Sequence, residues 1–308
     1  MDAIRLLQNL SVPKGKVDVV LDTDAFNEID DQFAIAYLLS AGEKLRAKAF
    51  YAAPFFNFHS ESPQDGMEKS YLEILKILEL AQREDLKPHV FKGSQGYLPD
   101  EQTPVDSPAA RDLAQRAMDY SEQHPLYVVA IGAITNIASA LLINPQIRDR
   151  IVIVWLGGHA PWWDDNKEFN LMQDVAAARV VYASGAPLVA LPCNGVVDRF
   201  ATTEPELRFW LEGKNPLADY LAKNVIQEAS AYAAGKPWSR VIWDVTAVAW
   251  LLNDEDRFLS QRIGHCPIPE YDHHFSFDSR RHFYKYVCAV HRDALFEDLF
   301  TRLARFGE

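Results

Sequence analysis

Five short apolar runs punctuate the first two-thirds of the chain: Val17–Leu21, Ala47–Ala53, Leu126–Ile131, Ile151–Leu156 and Leu188–Leu191. They are nearly continuous rather than alternating, the pattern of strands buried on both faces. Amphipathic stretches lie between them and predict helices over Asp31–Ala41, Pro63–Arg83, Pro108–Gln123, Thr135–Ile143 and Asp174–Ser184. Strands alternating with helices predict an α/β fold, a mostly parallel sheet with helices on both faces. Past residue 200 the pattern turns helical, over Glu204–Glu212, Pro216–Ala234 and Val241–Leu252. A strand at Phe283–Val290 and a helix at Asp293–Arg305 close the chain. No repeat, low-complexity tract or linker rich in Pro, Gly or Ser interrupts it, so residues 1–308 are expected to form a single domain.

Small or polar residues follow every predicted strand: Asp22-Thr23-Asp24, Pro54 to Asn57, Gly132 to Asn136, Gly157-Gly158 and Pro192-Cys193-Asn194. Open α/β sheets bind ligands at this carboxyl edge, so five such loops together point to a site there.

Composition narrows the classes. Apolar residues make up 48% and charged residues 24% of the 308, ordinary values for a globular chain. Thirty-one basic against 43 acidic side chains leave a net charge of −12, which disfavours nucleic acid or an anionic membrane as partner. Cys193, Cys266 and Cys288 are widely spaced and fit a reduced, cytoplasmic protein with no cysteine zinc site. Met1 to Arg5 opens no signal-peptide pattern. Leu126 to Gln146 is uncharged and reaches the ~20 residues of a membrane span. Gly132, Thr135, Asn136, Ser139, Asn144 and Pro145 break it into strand, loop and helix. His265 and His273-His274 lack a metal-binding spacing.

The densest chemistry follows the first strand, where Asp22, Asp24, Glu28, Asp30 and Asp31 crowd into ten residues. Asp22 and Asp24 have strand spacing and are expected on one side. Asp30 and Asp31 open the next helix, where negative charge is favoured. Carboxylates this close repel unless protonated or bridged by a cation, and an oxygen cage of this kind suits Ca²⁺ better than Mg²⁺. The spacing is not that of an EF-hand.

This segment resembles the N-terminal signature of the nucleoside hydrolases of the inosine-uridine-preferring type: Asp-x-Asp, a short loop, then Asp-Asp. Gly132-Ala133-Ile134-Thr135-Asn136-Ile137-Ala138, Leu156-Gly157-Gly158, Glu168-Phe169-Asn170 with Asp174 and Ala177, and Trp243-Asp244-Val245-Thr246-Ala247-Val248-Ala249 are similar to that family's later motifs, in order. The resemblance implies a Rossmann-like nucleoside hydrolase fold and a Ca²⁺-dependent cleavage of a ribonucleoside into ribose and base. It implies Ca²⁺ held by Asp24, Asp31, Asp244 and the carbonyl of Ile131, with Asp24 also the general base. Asp30, Asn57, Glu168, Asn170 and Asp244 would hold the ribose, Glu168 and Asn170 on its 5′ side. A cytoplasmic homodimer or homotetramer is implied as well.

Three departures from the family pattern stand out. The loop Ala25–Ile29 inside the acid motif is two residues longer. Trp243 stands where many members carry a histidine thought to protonate the base. Trp162 or Trp163 replaces an asparagine before the Glu168 motif. An indole at 243 can stack on a purine instead. His159, Arg199, Tyr232 and Trp238 are further candidates for contact with the leaving group. Two rival readings remain at this point: a haloacid-dehalogenase-type phosphatase, from Asp22-x-Asp24 after an apolar strand, and a nucleoside- or sugar-binding relative without turnover.

Overall fold

A computed structural model of the chain describes residues 1–307. Eight strands form one sheet: β1 (Val17–Thr23), β2 (Leu45–Ala52), β3 (Val90–Lys92), β4 (Leu126–Ala130), β5 (Ile151–Leu156), β6 (Leu188–Leu191), β9 (Leu259–His265) and β12 (Phe283–Val290). Their order is β3-β2-β1-β4-β5-β6-β12-β9, parallel throughout except for β9, which runs antiparallel to β12 at the edge. Two-residue strands make two small ladders outside it: β7 (Ala201–Thr202) with β8 (Arg240–Val241), and β10 (Ile268–Pro269) with β11 (Phe275–Ser276).

The helices are α1 (Ala3–Asn9), α2 (Asp31–Ser40), α3 (Pro63–Leu80), α4 (Pro108–Arg116), α5 (Thr135–Ile143), α6 (Phe169–Gln173), α7 (Val175–Ala183), α8 (Glu204–Leu211), α9 (Pro216–Ala233), α10 (Val245–Leu251) and α11 (Arg292–Ala304). Strand alternation sorts the core into two layers. Val19, Leu21, Val129, Val154 and Val189 pack with α2, α3, α9, α10 and α11. Val20, Val128, Ile153 and Leu188 pack with α4, α5 and α7 on the opposite face. β1 therefore sends its helix to one layer and its neighbour β4 sends its helix to the other. Where two such strands part, the sheet opens a crevice at its carboxyl edge.

The five apolar runs are all strands, and the uncharged stretch 126–146 divides into β4, a loop and α5. Among the described residues, no helix is long and apolar enough to cross a membrane. The expected all-helical run after residue 200 is corrected by β9, a polar, half-exposed edge strand that the apolar criterion passes over. The helix expected over Val241–Leu252 begins only at Val245, because Arg240 and Val241 pair with β7.

Candidate active site

The crevice between β1 and β4 gathers the acids. Alternation along β1 sends Asp22 towards α5, where Asn136 Nδ2 donates to it at 2.8 Å, and Thr23 towards α2, where its hydroxyl donates to Asp31. The strand ends at Thr23, so Asp24 lies beyond the alternation. The expectation that Asp22 and Asp24 share a side is corrected accordingly: Asp22 is drawn away to Asn136, while Asp24 faces Asp31 and Asp30.

Two buried helices deliver the other acids. Asp30 is the N-cap of α2, Asp31 is its first residue, and Asp244 is the N-cap of α10. An N-cap aspartate ordinarily accepts a hydrogen bond from the backbone two or three residues on. Neither Asp30 nor Asp244 does so. Their carboxylates turn inward instead, and ligand oxygens of Asp30, Asp31 and Asp244 lie within 4.8 Å of one another. Asp24 stands beside this trio, fully buried, with both oxygens unpartnered. Gly132 makes room for it, since a Cβ there would lie 2.8 Å from Asp24 Oδ1.

Burial, reinforced by neighbouring carboxylates, pushes Asp24, Asp30 and Asp244 well above the usual carboxylate range. Burial raises Asp31 and Asp22 to about 7, against the pull of hydrogen bonds from Thr23 and Asn136. Four buried acids, with no side-chain cation near them but Arg240 beside Asp30, are a poor arrangement for protein alone and a good one for a hard divalent ion with oxygen ligands. The orphaned oxygens of Asp24 and the convergent trio fit such an ion.

The cleft over these acids has a volume of about 220 Å³. Asp30, Asp31, Ile131 and Asp244 line its floor, Glu168, Asn170, His159, Lys167, Cys193 and Asn194 one end, and Asn27, Glu28 and Trp243 other parts of its wall. Glu168 caps α6, accepting from the N–H groups of Gly158, Asn170 and Leu171 at 2.8, 2.9 and 2.9 Å. Gly158, at φ +76°, supplies the left-handed turn that presents its N–H. Asn170 Nδ2 ties the carbonyls of Ile131 and Leu156 at 3.2 and 3.1 Å, joining the ends of β4 and β5.

Of the residues marked out by sequence, the structure brings Asp24, Asp30, Asp31, Ile131, Glu168, Asn170, Trp243 and Asp244 to this region. It does not bring Asn57 or Trp162. Asn57 lies behind Asn27, to which it donates at 2.6 Å, so Asn27 is the asparagine that meets the cleft. Trp162 is 55% exposed, out past the rim. Arg199 and Tyr232 are exposed, and Trp238 packs against the core. Sequence reasoning missed Asn27 and Lys167 as wall residues, and marked Glu28, Cys193 and Asn194 only as members of the acid cluster and of a strand-end loop. Asn27 was legible only as part of the extra length of the acid loop.

Thr135 and Asn136 of the glycine-loop motif turn out to be struts. Asn136 Oδ1 accepts from Ser94 N and Oγ at 2.8 Å each, and Thr135 donates to Asp174 at 2.6 Å. A larger hollow of about 900 Å³ opens at the amino ends of β1 and β4, but it contains none of the motif acids.

Comparison with known proteins agrees with this geometry. The chain is 26% identical over 262 residues to the pyrimidine-specific ribonucleoside hydrolase RihA of Salmonella paratyphi A, covering 77% of this chain and 80% of that one. Its fold is similar to that of a plant nucleoside hydrolase, PpNRh1, with a TM-score of 0.75 at 20% identity, covering 94% and 99% of the two chains. A purine-preferring ribonucleoside hydrolase from Gardnerella vaginalis gives a TM-score of 0.73 at 19% identity, covering 93% and 98%. The model of the inosine-uridine preferring nucleoside hydrolases matches residues 19–277, taking in both the acid motif after β1 and the aspartate that heads α10, and the chain belongs to that family of N-ribohydrolases.

Proposed function

We propose that this chain hydrolyses the N-glycosidic bond of a ribonucleoside, giving ribose and free base, with Asp24 as general base and Ca²⁺ as the ion. The observation that carries the reading is the meeting of Asp30 and Asp31 with Asp244 at the point where β1 and β4 part.

Asp24, Asp31, Asp244 and the carbonyl of Ile131 would hold the ion. Held there, it would offset the charge of the carboxylates, make a water more acidic and help orient the ribose diol. Asp24 then draws the proton from the attacking water; its unpartnered oxygens and dry surroundings suit a carboxylate poised to accept one. Asp30 and Asp244 face the sugar and stabilise positive charge developing at the anomeric carbon. Asn170, whose Oδ1 no described residue engages, and Glu168, with three of its acceptor positions filled, would take the hydroxyls at the 5′ end. Trp243 offers the base a stacking face.

A cytoplasmic homodimer or homotetramer acting as a single-domain unit completes the proposal, and sedimentation of the purified protein tests the assembly. The decisive assay is a panel of purine and pyrimidine nucleosides scored for reducing sugar, with and without chelator. Chelator-sensitive release from at least one nucleoside is expected. Tight nucleoside binding with no sugar released over hours would instead favour the binding-only relative.

A further inference from the structure

The cleft over the acids is small for a whole nucleoside. At about 220 Å³ it falls below the ~300 Å³ at which ligand pockets ordinarily begin. A second cavity of about 290 Å³ adjoins it, and Asn27 and Glu28 line both. With Glu168 and Asn170 at the 5′ side of the ribose as proposed above, Asn27 and Glu28, which line both spaces, lead the base into this second one.

The groups there that can give up a proton are few, and the carboxylate of Glu228 is paired with Arg240 at 3.3 Å. Lys76 is spent on the Tyr220 hydroxyl at 2.7 Å and sits over its ring, while Tyr220 donates to Glu73 at 2.6 Å. His59 is different. Its backbone is pinned, the N–H donating to Asn57 Oδ1 at 2.8 Å and the carbonyl accepting from Lys69 at 2.9 Å. Its ring lies 3.9 Å from that of Phe58 and edge-on to Phe26 at 6.4 Å, and no described residue bonds either ring nitrogen. The Asn57–Asn27 bond fastens this segment to the lengthened acid loop. The other histidine near the cleft, His159, sits at the Glu168 end with both ring nitrogens against Asn194. Trp243 has no proton suited to the task.

We infer that His59 is the proton donor to the leaving base, seated in the cavity between the acid loop and α9 and replacing an acid that position 243 cannot supply. As the C1′–N bond breaks, its electron pair goes to the base nitrogen, which takes a proton from the His59 imidazolium and leaves a neutral imidazole. Water forms the new C1′–O bond and loses a proton to Asp24, which later returns it to solvent, and His59 is reprotonated from solvent. The inference rests on the ribonucleoside hydrolase reading and deepens it.

The test compares His59→Gln with the natural chain on two kinds of substrate: nucleosides, whose bases leave poorly without a proton, and p-nitrophenyl β-D-ribofuranoside, whose leaving group needs none. The expected result is a loss of at least tenfold, within the 10²–10⁴ span of general acid catalysis, in kcat on nucleosides and under twofold on the aryl riboside. Added imidazole should restore part of the nucleoside turnover of His59→Ala. Equal losses on both substrates, or no loss on either, would overturn the role of His59 while leaving the hydrolase reading intact. Failure of the natural chain on both substrates would remove the reading itself, and the inference with it.

Discussion

Two sets of buried acids lie within one crevice and are treated in opposite ways. Glu168 and Asp174 are saturated with donors: Glu168 takes three backbone N–H groups, and Asp174 takes those of Leu98 and Ala177 together with the Thr135 hydroxyl. Asp24 has no donor at all, and Asp30 and Asp244 occupy cap positions without capping. Burial raises the pKa of every one of them, but for Glu168 and Asp174 the backbone bonds hold that rise in check. The first set uses its charge to hold loops and helix ends together. The second keeps its charge unspent, which lowers the stability of the protein alone and leaves oxygens available to an ion and a sugar.

The sharpest way to break this comparison is to remove the unspent charge. Asp24→Asn should lower kcat by roughly 10³-fold, within the range for loss of a general base. The melting temperature of the chelated protein should hold or rise, because a neutral amide replaces an acid whose ionised form burial and neighbouring carboxylates disfavour. A concurrent loss of fold would mean that Asp24 belongs with the struts.

Chelation is the next test. Activity should disappear with a calcium chelator and return with Ca²⁺. Stability should follow pH with a definite sign. Asp22 and Asp31 are displaced upward from 3.8 to about 7, so between those values the folded chain holds protons that the unfolded chain has lost. The ion-free protein therefore loses stability as pH rises from about 4 to 7, by up to ~1.4 kcal/mol per unit per group. Melting curves from pH 5 to 7.5 should show this slope and its flattening by Ca²⁺.

Asp174→Ala probes the saturated set. It leaves three buried donors unmet, at a cost of about 1–3 kcal/mol each, and lowers the melting temperature by several degrees. Residual turnover per folded molecule should stay within several-fold. The smallest effect is expected from Trp162→Ala: a change in kcat/KM below twofold, since that indole stands outside the cleft. A tenfold rise in KM would return it to the substrate.

Much of this was legible in the sequence because period and position carry it. Apolar runs marked the central strands, and acids just after β1 marked its functional end. Side-chain partnership was not legible. Nothing in Asp22-x-Asp24 says that Asn136 claims one and leaves the other, for that depends on where β1 stops and on a helix more than a hundred residues away. Asn57 was placed at the sugar by the family resemblance, yet Asn27 of the lengthened acid loop stands between it and the cleft. β9 was missed because an edge strand needs apolar residues on one face only.

α2 and α10, which hold the floor acids, are enclosed on nearly every side: Asp31 to Leu39 and Val245 to Leu251 are all buried, and the two helices pack together. Local opening cannot loosen those carboxylates without disrupting the innermost layer. The residues proposed to flank the departing base ride on segments with exposed positions, Phe26 within the acid loop and Phe56 and Phe58 beside His59. Mutational drift in those segments can retune which nucleobase is accepted while the bond-breaking apparatus stays fixed, so close relatives of this chain should diverge in base preference before they diverge in reaction.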